Sequence, residues 1–192
     1  DNYIYQYKYA GNYVDRREAI EYIARNQNDS KARELLKSAL KDKFDGLRKL
    51  TLDLIDLQNQ TLKKEAEPIL LDLIKNDKKS IVRGRAIGRL GEYEKTEYKD
   101  LFKNATRDSS YTVAGNALGA LGLLDEAEAM KIAKELSKTP AKGALKTSIT
   151  SIIAASGDES LAEELIGGFK NLPVSQQKFE ALNSLATYLG AL

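Results

Sequence analysis

Cysteine, histidine and tryptophan are all missing from these 192 residues. Without cysteine there is no disulfide, no thiol nucleophile and no thiolate metal site, and the lack suits a reducing or an oxidising compartment equally. Without histidine the commonest general base, the commonest transition-metal ligand and every Ser-His pair are excluded. No apolar run approaches the ~18 residues that a membrane-spanning helix needs, so no membrane partner is expected. Charge of one sign is scarce too. Thirty basic and 28 acidic side chains leave a formal +2, which argues against a nucleic-acid partner. No glycine-rich phosphate cradle follows a strand. The chain starts at Asp1 and its single methionine is Met130, from which a segment of a longer or processed chain is expected.

What is present is a repeat. Val82-Arg83, Ala86 and Leu90-Gly91 spell V-R-x-x-A-x-x-x-L-G. The small residue of that pattern recurs at Ala19, Thr51, Ala86, Ala117, Ser148 and Ala181, in steps of 32, 35, 31, 31 and 33 residues. Four positions after each anchor stands a large aliphatic: Ile23, Ile55, Leu90, Leu121, Ile152 and Leu185. A period in this range marks stacked helix pairs, none of which buries its apolar face alone. The expected fold is all-α, a right-handed α-α superhelix of about six helix pairs over residues 14–192. Small anchors let neighbouring backbones approach, and the aliphatic one turn on lies on the same face.

Helices are expected near 15–26, 30–43, 45–58, 65–76, 79–91, 95–106, 110–123, 126–138, 141–156, 159–170 and 174–190. Asp125 and Glu128 have capping-box spacing, and Asp158 reads as a cap before Glu159. Gly91 and Gly157 stand where left-handed C-cap residues are wanted. Pro68 is assigned to a first turn, because inside a helix it costs about 3 kcal/mol. Gly115 and Gly119 make a slim helix that a close packing contact must compensate. Residues 1–13 differ. Tyr3, Tyr5, Tyr7 and Tyr9 alternate with other side chains, the period of a strand, so an extended arm is expected. It would pack its tyrosines on the surface of a preceding domain, or offer them as an aromatic binding ledge.

Glu65 to Ile74 with Pro68, then Asp77, then Val82-Arg83, Ala86 and Leu90-Gly91, resemble a HEAT or HEAT-like repeat. The aspartate recurs five residues before the Val position at Asp42, Asp77 and Asp108. A second resemblance lies in Tyr5–Ala10, Asn12–Ile20 and Asp42–Arg48, which are similar to the C-terminal helical region of Bacteroidetes enzymes of the membrane alanyl aminopeptidase family, gluzincin zinc metallopeptidases. It implies a non-catalytic domain packed on an upstream peptidase domain of the same chain, shaping access of peptide substrate. It further implies zinc in that upstream domain, and a periplasmic or secreted location. The family's H-E-x-x-H signature cannot exist in a chain without histidine, so no catalytic, cofactor-binding or metal-binding residue is assigned here. The alternative is an independent scaffold that binds a protein partner on its concave face.

One repeat position carries Arg16, Arg48, Arg83 and Lys178. Two readings stand open. On a concave face these cations could hold a peptide carboxylate or an acidic partner. Otherwise each arginine pairs with an aspartate of its own or an adjacent turn and tightens the stack. Arg83, Arg85 and Arg89 with Lys78 and Lys79 form the densest basic patch, in which Arg85 and Arg89 are expected on one exposed face. Asp53 with Asp56 and Glu163 with Glu164 read as surface carboxylates.

Overall fold

Every one of the six small anchors lies inside a helix, and they occupy alternate helices of the chain. The structure, a computed structural model, describes residues 2–159 and 162–192. Among the described residues it is all-α, with no strand. The helices are α1 (Asn2–Tyr9), α2 (Tyr13–Ile23), α3 (Ser30–Ala39), α4 (Asp45–Leu54), α5 (Gln60–Asn76), α6 (Ser80–Gly91), α7 (Lys99–Ala105, after a 3-10 turn at Thr96–Tyr98), α8 (Tyr111–Leu124), α9 (Glu126–Leu136), α10 (Gly143–Ala155), α11 (Ala162–Asn171) and α12 (Gln176–Ala191). The anchors fall in α2, α4, α6, α8, α10 and α12. Their neighbours in the chain, α3, α5, α7, α9 and α11, are the other members of the pairs.

The chain forms two compact units, Asp1–Tyr93 and Glu94–Leu192. In the first unit α2, α4 and α6 pack one on the next, while α3 and α5 form a second row. Ala19, Thr51 and Ala86 are fully buried along the first row, and Leu36, Leu47, Leu52, Leu62, Leu70 and Leu90 fill the space between rows. Each such leucine contributes about 1.5–3 kcal/mol by leaving water. Thr51 tolerates burial because its hydroxyl donates to the Leu47 carbonyl at 2.7 Å.

In the second unit α8, α10 and α12 pack in sequence, with α7 and α9 against α8 and α11 against α12. Here the expected close contact is present. A Cβ on Gly115 would lie 2.5 Å from the Ala144 carbonyl oxygen and overlap the backbone of Leu145. Ser148 fastens the same crossing by donating to the Gly115 carbonyl at 2.8 Å. The last two anchors, Ser148 and Ala181, are only partly buried.

Helix ends follow their local chemistry. Asn12, Asp29, Asn59, Asp125 and Ser175 each cap a helix by accepting an N–H three residues on. Gly157 is left-handed, φ 64°. The expected cap by Asp158 adjoins residues 160 and 161, which lie outside the described ones. Three expectations need correction. The arm at 1–13 is not extended: Asn2–Tyr9 is helical. With no strand to pair with, helix formation satisfies its backbone groups locally. Pro68 sits inside α5, which begins at Gln60. The two turns before it bury Leu62 and Ala66 completely, and that burial offsets the lost backbone hydrogen bond. Gly91 ends α6 within the helix and is buried; the left-handed residue of the following turn is Glu94, φ 52°.

Candidate functional site

The repeated arginines and aspartates of the first unit form a ladder. Asp42 and Asp77 each close a turn between paired helices by accepting the N–H two residues on, from Phe44 and Lys79, both at 2.9 Å. Asp108 makes the same turn with Ser110 at 2.7 Å. The carboxylates of Asp42 and Asp77 also meet the arginine of the preceding repeat. Arg16 donates to Asp42 through Nε at 3.1 Å and through a terminal nitrogen. Arg48 grips Asp77 with both prongs, at 2.7 and 2.9 Å. Each arginine also reaches back to its own repeat: Arg48 to the Asp42 carbonyl at 2.7 Å and Arg83 to the Asp77 carbonyl at 3.0 Å. Burial opposes ionisation of Asp77, yet the hydrogen bonds from Arg48 and the Lys79 N–H, with the charges of Arg48 and Arg83, outweigh it. They hold its carboxyl below the usual range.

Arg16 and Arg48 thus meet aspartates of the next repeat, and Arg83 bonds the Asp77 carbonyl of its own. Lys178 belongs to the second unit and lies over the Phe169 ring at 5.1 Å. The basic patch on α6 is also engaged. Arg85 pairs with Asp53, and Arg89 bonds Glu92 at 2.7 Å and the Ile55 carbonyl. The expectation that Arg85 and Arg89 share a free exposed face is therefore corrected: both are only partly exposed, because they reach across to α4 and the turn after it.

The more open chemistry of this unit lies at its first helix. Tyr7 is the buried pin of α1: its hydroxyl donates to Asp42 at 2.8 Å, and the Arg16 guanidinium lies 4.4 Å over its ring. Burial pushes the Tyr7 phenol up, and the Asp42 carboxylate adds to the rise. Tyr3 stacks on Tyr22 of α2 at 3.9 Å. Gln6 ties the helix to α2 through the Asp15 carbonyl and Glu18. The arm thus docks Tyr3 and Tyr7 on its own chain.

Tyr5 and Tyr9 are left outside, 66% and 69% exposed, with their rings tilted against each other at 4.4 Å. With Ile4 and Lys8 they form one wall of an open groove of about 610 Å³. Lys31, Glu34, Leu35 and Ser38 of α3 form the other. Sequence reasoning missed this groove. The signal was there: Tyr3/Tyr7 and Tyr5/Tyr9 are i,i+4 pairs, which fit two helix faces as well as they fit strand alternation.

Among the described residues, no three His, Cys, Asp or Glu side chains gather as a metal site, and no helix is long and apolar enough to cross a membrane. No family model matches the chain, and no curated protein matches it. Among solved structures, a chain of the complex of CpcE and CpcF of phycocyanin lyase from Nostoc sp. PCC7120 is similar at 15% identity and a TM-score of 0.48, over 99% of this chain and 81% of that one.

Proposed function

We propose that this chain is a non-catalytic helical scaffold that binds protein, and that the groove between α1 and α3 takes a segment carrying an aromatic or aliphatic anchor. The observation that carries the reading is the exposed Tyr5–Tyr9 pair on a helix that Tyr7 pins in place. Tyrosines held rigidly at a groove edge offer apolar area and a polar tip at little entropic cost. Panning a random peptide library against the full chain tests it. Enriched peptides should carry apolar anchors and lose binding to the Tyr5→Ser/Tyr9→Ser double variant, whose far-UV circular dichroism should match the parent. Failure of the parent chain to enrich any peptide, or equal binding by the variant, would reject this site.

A narrower form rests on the resemblance of Tyr5–Ala10 and Asn12–Ile20 to the aminopeptidase region. In it the segment seated on this face belongs to a zinc peptidase domain, and the chain limits which peptides enter. By itself the chain should then leave an aminoacyl anilide unhydrolysed, with or without added zinc.

A further inference from the structure

The second unit carries a different surface on α12. That helix turns Tyr188 and Ser184 inward, Tyr188 joining Ala154 and Leu165 in a small core. On the opposite side Phe179, Leu182, Ala186 and Leu189 follow one another at intervals of three, four and three. Phe179 and Leu189 are 63% and 61% exposed. This is the a/d spacing of a helix seam that seeks a partner helix. No charged residue interrupts it.

Beside the seam, toward α10, runs a polar groove of about 210 Å³ lined by Thr147, Ser151, Glu180, Asn183, Ser184 and Thr187. Its hydroxyl protons are largely spent on their own helices: Thr147 donates to the Gly143 carbonyl at 3.3 Å, Ser184 to Glu180 at 3.1 Å and Thr187 to Asn183 at 2.9 Å. What faces the groove is the lone pairs of these three hydroxyls, the Ser151 hydroxyl, the Asn183 amide and the Glu180 carboxylate. Glu180 accepts from Gln176 at 3.4 Å, and among the described residues no lysine or arginine pairs with it. A row of acceptors with one negative charge calls for a cationic donor.

We propose that α12 is the docking surface for an amphipathic helix of another protein, whose apolar seam packs on Phe179, Leu182 and Leu189 while a flanking lysine or arginine enters the acceptor groove at Glu180. A second copy of this chain does not meet that requirement. In a two-fold pairing of α12, Phe179 faces Leu189 and Leu182 faces Ala186, which sets Lys178 against Gly190 and leaves Glu180 without a cation. This surface is independent of the tyrosine groove, so either can fail while the other stands.

The probe is a designed peptide of roughly 20 residues, long enough to hold a helix in water, with leucines at a and d and a lysine beside the seam. Its twin carries glutamate there. Fluorescence anisotropy against the full chain should show the lysine peptide binding about fivefold or more tighter than its twin. Glu180→Gln should erase that preference, and Phe179→Ser/Leu189→Ser should weaken both peptides with circular dichroism unchanged. Equal affinity for the two peptides would overturn the proposal. So would absence of binding, or sedimentation showing a dimer of the parent chain that Phe179→Ser/Leu189→Ser dissolves.

Discussion

Replacing Gly115 and Gly119 of α8 by alanine, one at a time, should move stability in opposite directions. Both are interior helix positions, where alanine is favoured over glycine by about 0.8–1.0 kcal/mol. At Gly119 the added Cβ has its nearest neighbour, the Ser148 hydroxyl oxygen, at 3.8 Å, an ordinary contact. Gly119→Ala should therefore stabilise by roughly the propensity difference. At Gly115 the same atom overlaps the Ala144–Leu145 backbone, which has no rotamer through which to yield. Bringing the Ala144 oxygen from 2.5 Å to the 3.0 Å below which real Cβ atoms are essentially never found already takes about 0.5 Å, and the Ala144 carbon and Leu145 nitrogen, closer still, require α8 and α10 to part by more. That loosens the Ser148–Gly115 bond as well. Overpacking costs about 1–3 kcal/mol, and where backbone rather than side chain must move the upper end applies. Subtracting the propensity gain leaves a net loss of about 2 kcal/mol. Urea titrations followed by far-UV circular dichroism would read both variants. Because the chain forms two units, the transition to watch is that of Glu94–Leu192. If Gly115→Ala stabilised as much as Gly119→Ala, the close approach of α8 and α10 would be wrong.

Two further outcomes are expected. Asp77 has a folded pKa below its ordinary value, so it contributes stability that is present above the unfolded pKa of about 3.9 and is lost as pH falls through the folded value. Asp77→Asn should lower stability at pH 7 by about 2–4 kcal/mol and flatten the decline below about pH 5; an unchanged acid profile would remove Asp77 from the ladder. Pro68→Ala should stabilise the first unit by about 2 kcal/mol, the gain of roughly 3 in a helix interior less about 0.4–1 for a freer unfolded chain. The exposed ring of Pro68 leaves no cavity behind, and a destabilised melt would show that it holds a contact.

The repeat was legible because it is written in residue types that only a few environments accept. A small residue every 31 to 35 positions, with an aliphatic one turn on, has little use except at a helix crossing, and each anchor is found inside a helix. The Arg48–Asp77 pairing was readable as one of two options, since the spacing of the motif sets both residues near the same turn. Position alone could not tell whether the guanidinium faces a carboxylate or solvent. Gly115 pointed to a close contact without saying what approaches it. The misreadings share a cause. Local preference put the tyrosines of α1 in a strand and a helix start near Glu65, whereas the buried Tyr7–Asp42 bond and the burial of Leu62 and Ala66 outweighed preferences of a few kcal/mol.

Period, anchor size and capping residues, all carried within a few turns of chain, determined by themselves that this protein is built of helix pairs and which helices carry the anchors. Only the tertiary structure decided that Arg16 and Arg48 spend donors between repeats, that Tyr5 and Tyr9 edge a groove, and that Phe179 and Leu189 remain uncovered. Exposure and pairing depend on which distant residues arrive at the same place, and no local pattern records that.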